Sequence, residues 1–118
     1  MHSSDWWNGI KAAVTVCDND GIILDMNESA AGTFSKDGGR QLVGKSLMEC
    51  HPEKARAKLR SLLETESVNV YTIEKNGIKK LIYQSPWYKN GKFAGLVEFS
   101  LPIPFEMPYF VRANKDSF

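Results

Sequence analysis

Two Asn-Gly dipeptides, Asn76-Gly77 and Asn90-Gly91, divide the second half of the chain into segments of strand length. Asparagine and glycine both tolerate the positive φ angles of a two-residue turn, so Asn-Gly between alternating segments is the strongest short-range signal for a β-hairpin. The flanking segments alternate apolar and polar residues and span 68–74, 79–88 and 93–101. The sequence therefore predicts a three-stranded antiparallel meander.

A shorter hairpin is predicted near the start of the chain. Two apolar segments, 12–17 and 21–26, flank turn-forming residues that run from Asp18 to Gly21. Asp, Asn and Gly favour tight turns because their backbones adopt turn conformations at low cost. These two segments are therefore predicted to pair with each other.

Helices are predicted between the two groups of strands. Asn27 is a suitable cap for a short helix, and Pro52 suits the first position of a longer helix. We expect the longer helix to run to about Thr65, and Leu59 lies on its apolar stripe. The predicted order is two strands, short helices, one longer helix and then the meander.

Three short motifs occur at matching places in this order. They are DGIILDMN at 20–27, QLVGKSL at 41–47 and PWYKNGKFAGLVEFSL at 86–101. The first resembles the D-x-x-G-x-I-x-x-x-N start of the PAS family and the second its E-x-x-G-K-S segment. The third is similar to the family's last hairpin, where a proline and an Asn-Gly turn precede G-x-V. The resemblance implies an α+β PAS fold, a five-stranded antiparallel sheet with helices packed on one face and a short N-terminal helix.

The resemblance also divides the chain into three regions. Residues 1–11 are expected to form an amphipathic cap helix and residues 12–103 the PAS domain. Residues 104–118 are expected to be a tail rich in proline and aromatic residues. Proline neither donates to a strand ladder nor continues a helix, so this tail should be extended.

The family's function implies a sensory or signalling module that binds a small ligand in an internal cavity and mediates protein association. In the PAS fold, the inner sheet face and the long helix enclose that cavity. The candidate ligand-binding residues are His51, Leu59, Tyr71, Tyr83, Gln84, Trp87 and Phe99. Alternatively, the aromatic side chains only fill a packed core. The inward face of 79–88 is left open between Leu81/Tyr83 and Ile82/Gln84, because a one-residue slip reverses the faces of a strand.

His51 suggests one alternative function. Some PAS domains hold haem iron with a histidine on the equivalent long helix, and an axial histidine in an apolar pocket suffices for that chemistry. The resemblance thus allows a haem-binding gas or redox sensor in which His51 is the axial ligand. The other interpretation is a histidine at a helix start that satisfies backbone groups or solvent. No other metal site is expected, and the identity of any further cofactor is left open.

Trp6, Trp7 and Ile10 suggest a contact surface near the start of the chain. A short amphipathic helix is not stable alone, so its apolar side must pack against something. We expect these residues to form a homodimer interface, although they could instead cover the outer sheet face of one subunit. A ligand-free dimerisation scaffold is the second alternative function. The signal would then pass to a separate effector protein.

Charge and hydropathy exclude two classes of partner. The 15 Lys and Arg residues nearly balance 14 Asp and Glu residues, so no global field attracts nucleic acid or an anionic membrane. The longest apolar runs are far shorter than the roughly 20 residues of a membrane span. We therefore expect neither nucleic acid nor a membrane among the partners.

Catalysis is not expected from the motifs either. The sequence contains no Walker phosphate loop, no G-x-G-x-x-G and no nucleophile elbow. Two cysteines, Cys17 and Cys50, do not make a disulfide framework. The start of the chain is short and polar, unlike a signal peptide. We expect a cytoplasmic protein with reduced thiols that is not an enzyme.

Overall fold

Five strands form one antiparallel sheet in the computed structural model, which describes residues 5–114. The strands are β1 (Ala13–Asp18), β2 (Ile23–Met26), β3 (Asn69–Lys75), β4 (Ile78–Lys89) and β5 (Lys92–Ile103). They lie in the order β2-β1-β5-β4-β3, so the first hairpin packs beside the last strand of the meander. The predicted fold class and five-stranded sheet are confirmed.

The helices lie before and between the strands. They are α1 (Asp5–Gly9), α2 (Glu28–Thr33) and α3 (Glu53–Thr65), and short 3₁₀ segments occupy Ser35–Asp37, Gly39–Leu42 and Leu47–Cys50. Helix α1 falls within the predicted cap region 1–11, of which residues 1–4 lie outside the described residues. Residues 104–114 contain no helix or strand, and the predicted tail beyond them, 115–118, also lies outside.

Both Asn-Gly dipeptides form the predicted hairpin turns. Asn76 and Asn90 each have a φ of 53°, and Gly77 and Gly91 each have a φ of 78°. Consecutive positive φ angles are those of a type I′ turn, whose twist matches that of the strands it joins. The two turns therefore join β3 to β4 and β4 to β5 in the meander.

Asn27 joins the first hairpin to the helices. Its Oδ1 atom accepts hydrogen bonds from the backbone amides of Ala30 and Val14, both at 3.0 Å. Its Nδ2 group donates to the carbonyl oxygens of Trp7 at 2.9 Å and Ala12 at 2.8 Å. The side chain is fully buried, so all four bonds replace water in the interior. Asn27 thus caps α2 and also holds α1 against β1.

The core lies between the helices and one face of the sheet, which we call the inner face. It buries apolar side chains of the sheet, the 3₁₀ segments and α3: Ala13, Cys17, Ile23, Met26, Leu42, Leu47, Leu59, Leu62 and Leu96. This half of the inner face, around β1 and β2, is closely covered. On β3, at the other edge, the inner-facing Tyr71 and Ile73 remain 44% and 39% exposed.

The register of β4 and β5 settles which residues of β4 face the core. Gln84 pairs with Glu98 and Asn69, and Tyr83 pairs with Phe99. Directly paired residues share a face, so Ile82 and Gln84 belong to the inner face and Leu81 and Tyr83 to the outer face. This answers the question that the sequence left open.

Candidate functional site

A cleft lies between the helical layer and the inner face, at the β3 edge of the sheet. It consists of two adjoining cavities of about 190 and 340 Å³, and His51 and Tyr71 line both of them. We call the two together the inner cleft. A volume of this order suits a small organic molecule, since ligand pockets hold about 300–1,000 Å³.

The first cavity has apolar walls and a polar floor. Phe34, which follows α2, and Ile73 and Ile82 on the sheet supply the apolar walls. Glu98 and Lys80 add charged groups from β5 and β4. A ligand with an apolar body and a polar end would therefore find a matching surface for each part.

The second cavity lies beneath α3. Lys54 and Lys58 line it from the helix, one turn apart, together with Leu59. Asn69 and Gln84 line it from the sheet. Leu59 is the point at which this cavity meets the core.

A row of hydrogen bonds crosses the floor of the inner cleft. Asn69 donates from Nδ2 to Oε1 of Gln84 at 2.8 Å, and Gln84 donates from Nε2 to Oε2 of Glu98 at 2.8 Å. A carboxylate only accepts, so the NH₂ group of Gln84 must face Glu98. Both ends of the Gln84 amide are therefore anchored, and its side chain is only 3% exposed.

Tyr71 presents a neutral hydroxyl group to the inner cleft. Burial, and secondly the nearby negative charge of Glu98, raise the pKa of Tyr71 above its ordinary value. The phenol therefore stays protonated at physiological pH and can donate a hydrogen bond. Within residues 5–114 the hydroxyl has no hydrogen-bond partner, so a bound molecule could take that place.

His51 is oriented by the backbone just before it. Its Nδ1 atom lies 2.9 Å from the carbonyl oxygen of Leu47, which can only accept, so Nδ1 carries a proton and donates it. The ring also faces Phe34, with 6.5 Å between the two ring centroids. Arg56 donates from Nε to the carbonyl oxygen of His51 at 2.9 Å. The imidazole is thus held at the wall of the inner cleft.

The seven predicted ligand-binding residues fall into two groups. His51, Leu59, Tyr71 and Gln84 line the inner cleft. The structure does not bring Tyr83, Trp87 and Phe99 to it, because they lie on the outer face of the sheet.

The three aromatic residues on the outer face pack there instead. The rings of Tyr83 and Phe99 meet edge to face, with 6.4 Å between centroids. Trp87 lies opposite Gly95 and donates from Nε1 to the carbonyl oxygen of Cys17 at 3.0 Å. Aromatic character marked these residues in the sequence, but it does not reveal which face of a strand they occupy. The same reasoning missed Phe34, Ile73, Ile82 and Glu98.

The residues predicted for a dimer interface lie on and after α1. Trp6 is 59% and Ile10 36% exposed, and Trp7 is partly buried. The rings of Trp6 and Trp7 meet edge to face, with centroids 6.1 Å apart. Asn8 accepts hydrogen bonds from the backbone amide of Glu28 and from Arg40, which ties α1 to α2 and leaves Trp6 exposed.

The described residues also bear on metal binding, membrane insertion and thiol chemistry. Residues 5–114 contain no group of three or more His, Cys, Asp or Glu side chains placed to hold a metal ion. None of their helices is long and apolar enough to cross a membrane. Burial raises the pKa of the Cys17 thiol to about 11, so this thiol stays protonated and is a poor nucleophile.

Comparisons with known proteins agree with the fold. A family model for the PAS fold matches residues 7–69, which is more than half of the chain. No curated protein sequence matches. The structure of a PAS domain from Colwellia psychrerythraea superimposes with a TM-score of 0.61 at 20% identity, covering 85% of this chain and 92% of that one.

Two structures from Vibrio cholerae are also similar. A sensory box sensor histidine kinase gives a TM-score of 0.62 at 18% identity, covering 86% of this chain and 90% of that one. The Aer2 receptor, a dual PAS-haem oxygen sensor, gives 0.58 at 15% identity, covering 79% and 95%. At such identities the likeness concerns the fold, whereas the family model matches the sequence itself. This chain belongs to the PAS family.

Proposed function

We propose that this PAS domain is a sensory module that binds a small ligand in the inner cleft, and that it is not an enzyme. The observation that carries the proposal is the uncovered part of the inner face. Tyr71 and Ile73 face the helices yet remain 44% and 39% exposed, whereas neighbouring Gln84 and Leu59 are buried. A ligand seated in the first cavity would cover these side chains.

The lining supports binding in chemical terms. Apolar side chains that leave water stabilise a complex in proportion to the area buried. The Tyr71 hydroxyl and the anchored Gln84–Glu98 pair would orient the ligand by hydrogen bonds. Fixed polar groups within apolar walls are the usual composition of a small-molecule site.

We further propose that the signal leaves the domain through protein association. The strands that floor the inner cleft also carry the outer-face residues Tyr83 and Phe99, so a shift of β3 and β4 would reach both faces. Trp6, Trp7 and Ile10 would form the contact in a homodimer, or with a separate effector protein. A ligand can drive such a change only if it binds the two states with different affinity. The free thiol of Cys17 suits the reducing cytoplasm, where we place the protein.

A haem sensor is the second candidate, and the orientation of His51 favours it. When Nδ1 donates to a backbone carbonyl, as it does to Leu47, the lone pair that binds a metal resides on Nε2. Phe34 and Ile82 would supply apolar walls for a macrocycle. Bound haem would contribute an iron centre that responds to gas or redox state, and His51 would hold it.

Native mass spectrometry with an absorption spectrum of protein purified from cells tests the proposal. Tyr71 and Tyr83 make a matched pair, since they are similarly exposed but lie on opposite faces. We expect a bound mass that Tyr71→Ala removes and Tyr83→Ala keeps. A Soret band that disappears in His51→Ala would favour the haem sensor. A ligand-free protein, or a bound mass lost only in Tyr83→Ala, would contradict a ligand site in the inner cleft and favour a dimerisation scaffold.

A further inference from the structure

We infer that the ligand of the inner cleft is a small organic anion, with a carboxylate or similar charged group on an apolar body. This inference rests on the proposed function, because it assumes that the inner cleft binds a ligand. It is carried by the charges around the cleft. The lining contains four lysines and one glutamate: Lys54, Lys58, Lys75, Lys80 and Glu98.

The lining of the inner cleft has an excess of positive charge that the chain as a whole does not have. Over the whole chain, 15 basic residues face 14 acidic residues, so the protein is almost neutral. Glu98, the acidic residue of the lining, is already engaged by Gln84. The four lysines outnumber the single carboxylate of Glu98, and a cleft with an excess of one charge and apolar walls focuses the field and attracts ligands of the opposite sign.

The lysines approach the inner cleft from both sides as two like-charged pairs. Lys54 and Lys58 are four residues apart on α3, a spacing at which side chains are neighbours on one helix face. Lys80 pairs with Ile73, two residues from Lys75, so the two lysines are diagonal neighbours on the inner face. Like charges four residues apart destabilise a helix, and diagonal neighbours on a sheet are within reach of long side chains, so the members of each pair repel each other.

Among the described residues, no ion pair relieves this repulsion. Within residues 5–114, none of these four ammonium groups has a carboxylate oxygen within 4 Å. Lys80 is partly buried, and the others are exposed to the solvent at the mouth. An anion bound in the first cavity would offset the repulsion between Lys75 and Lys80, and the lysine pair of the adjoining cavity would add to its attraction.

The apolar walls distinguish an organic anion from an inorganic one. Phe34, Ile73 and Ile82 line the same cavity as Lys75 and Lys80. Inorganic phosphate or sulfate would contact the lysines but would leave this apolar surface exposed. A ligand with a flat or branched apolar body fills the wall, and its charged group reaches the lysines at the mouth.

Two fluorescent probes test the inference, because they share one aromatic body and differ by a sulfonate. They are 8-anilinonaphthalene-1-sulfonate, which is an anion, and N-phenyl-1-naphthylamine, which is neutral. We expect the full chain to bind one sulfonate molecule, about tenfold more tightly than the neutral probe. Added salt should weaken only the anion, because its attraction to the lysines is screened. Inorganic phosphate should compete weakly.

Variants identify the charges responsible. Replacing both Lys75→Gln and Lys80→Gln should weaken binding of the sulfonate about three- to tenfold, in line with partly exposed charge pairs. Lys80→Arg keeps the charge and should bind like the parent protein. Lys89→Gln is the matched control, since Lys89 lies on the same strand outside the lining. Binding of the neutral probe should be unchanged in all of these variants.

The outcomes separate this inference from the proposed function. Equal binding of both probes, or sulfonate binding that survives the double lysine variant, would overturn the anion preference while leaving a ligand site in the inner cleft. Saturable binding that Tyr71→Ala weakens for both probes would place them there. If neither probe binds saturably, both the inference and the ligand site are contradicted.

Discussion

Gln84 and Glu98 are joined by a 2.8 Å hydrogen bond from Nε2 to Oε2 across β4 and β5, on the face of the sheet that lines the inner cleft. The other end of the Gln84 amide accepts from Asn69, so the three side chains form a row across three strands. This row defines the floor of the site, and its middle member is buried.

Replacing Gln84 should therefore destabilise the protein. In Gln84→Leu, Asn69 and Glu98 each lose a partner in a partly buried place, which typically costs about 1–3 kcal/mol of unfolding free energy. Urea denaturation followed by circular dichroism measures this loss. Ser85→Ala is the control, since the Ser85 hydroxyl donates only to its neighbour's carbonyl oxygen, on Pro86. Equal losses in the two variants would mean that the row contributes nothing specific.

Gly95 should tolerate no side chain. A Cβ atom there would overlap the carbonyl oxygen of Cys17 and lie 2.7 Å from the backbone carbon of Asp18, and its φ of 145° suits only glycine. Gly95→Ala should lower the unfolding free energy by about 3 kcal/mol or prevent folding. Gly32→Ala, in α2 with nothing within 4 Å, should instead stabilise by up to about 1 kcal/mol. A mild effect at Gly95 would contradict this packing.

The Cys17 thiol predicts a loss of stability at alkaline pH. Burial raises the pKa of Cys17 from 9.0 to about 11, so the folded state holds the proton more tightly than the unfolded state. This contribution is complete below pH 9 and is lost as the pH rises through about 11. By pH 10.5 the parent protein should have lost about 2 kcal/mol more than Cys17→Ala, as measured by urea unfolding at pH 8 and 10.5. Parallel losses in both proteins would show that this thiol does not titrate differently on folding.

The exposed apolar side chain of Trp6 predicts self-association. If Trp6 contacts a second copy, Trp6→Lys should shift a dimer towards monomer in sedimentation equilibrium, because it buries a charge in an apolar contact. Val43→Lys is the control, since Val43 is 41% exposed and follows the 3₁₀ segment Gly39–Leu42, outside the predicted dimer interface. A dimer that is unaffected by Trp6→Lys would place the contact elsewhere.

The turn residues made the order of the strands predictable. An irregularity in the last hairpin prevented a prediction of which side chains share a face of the sheet. The Asn-Gly turns fixed both hairpins from local sequence alone. Without further information, the second turn pairs Gln84 with Val97, since Lys89 pairs with Lys92. A β-bulge at Trp87 and Tyr88 shifts the register by one, so Gln84 pairs with Glu98 instead. Gly95 stands at this irregularity, and an isolated glycine within a strand often marks a bulge. The glycine alone does not give the size of the register shift, which decides which side chains line the inner cleft.

The candidate site was only partly predictable for a related reason. Four residues of the inner cleft were predicted because a cavity between a helix and a sheet is expected to combine apolar walls with a few polar groups. They are His51, Leu59, Tyr71 and Gln84. The lysines of α3 were not among the predicted site residues. Helical spacing shows that Lys54 and Lys58 share a side, but it does not show that the cavity they line adjoins one lined by a second lysine pair.

The most direct test of the ligand site is a methyl NMR titration of isoleucine-labelled protein with 8-anilinonaphthalene-1-sulfonate. Ile73 and Ile82 line the inner cleft, whereas Ile10 follows α1 and Ile103 ends β5 on the outer face. We predict saturable shifts of the Ile73 and Ile82 methyl resonances, with those of Ile10 and Ile103 unchanged. Shifts confined to Ile10 or Ile103, or no saturable shift at any of the four, would contradict a ligand site in the inner cleft.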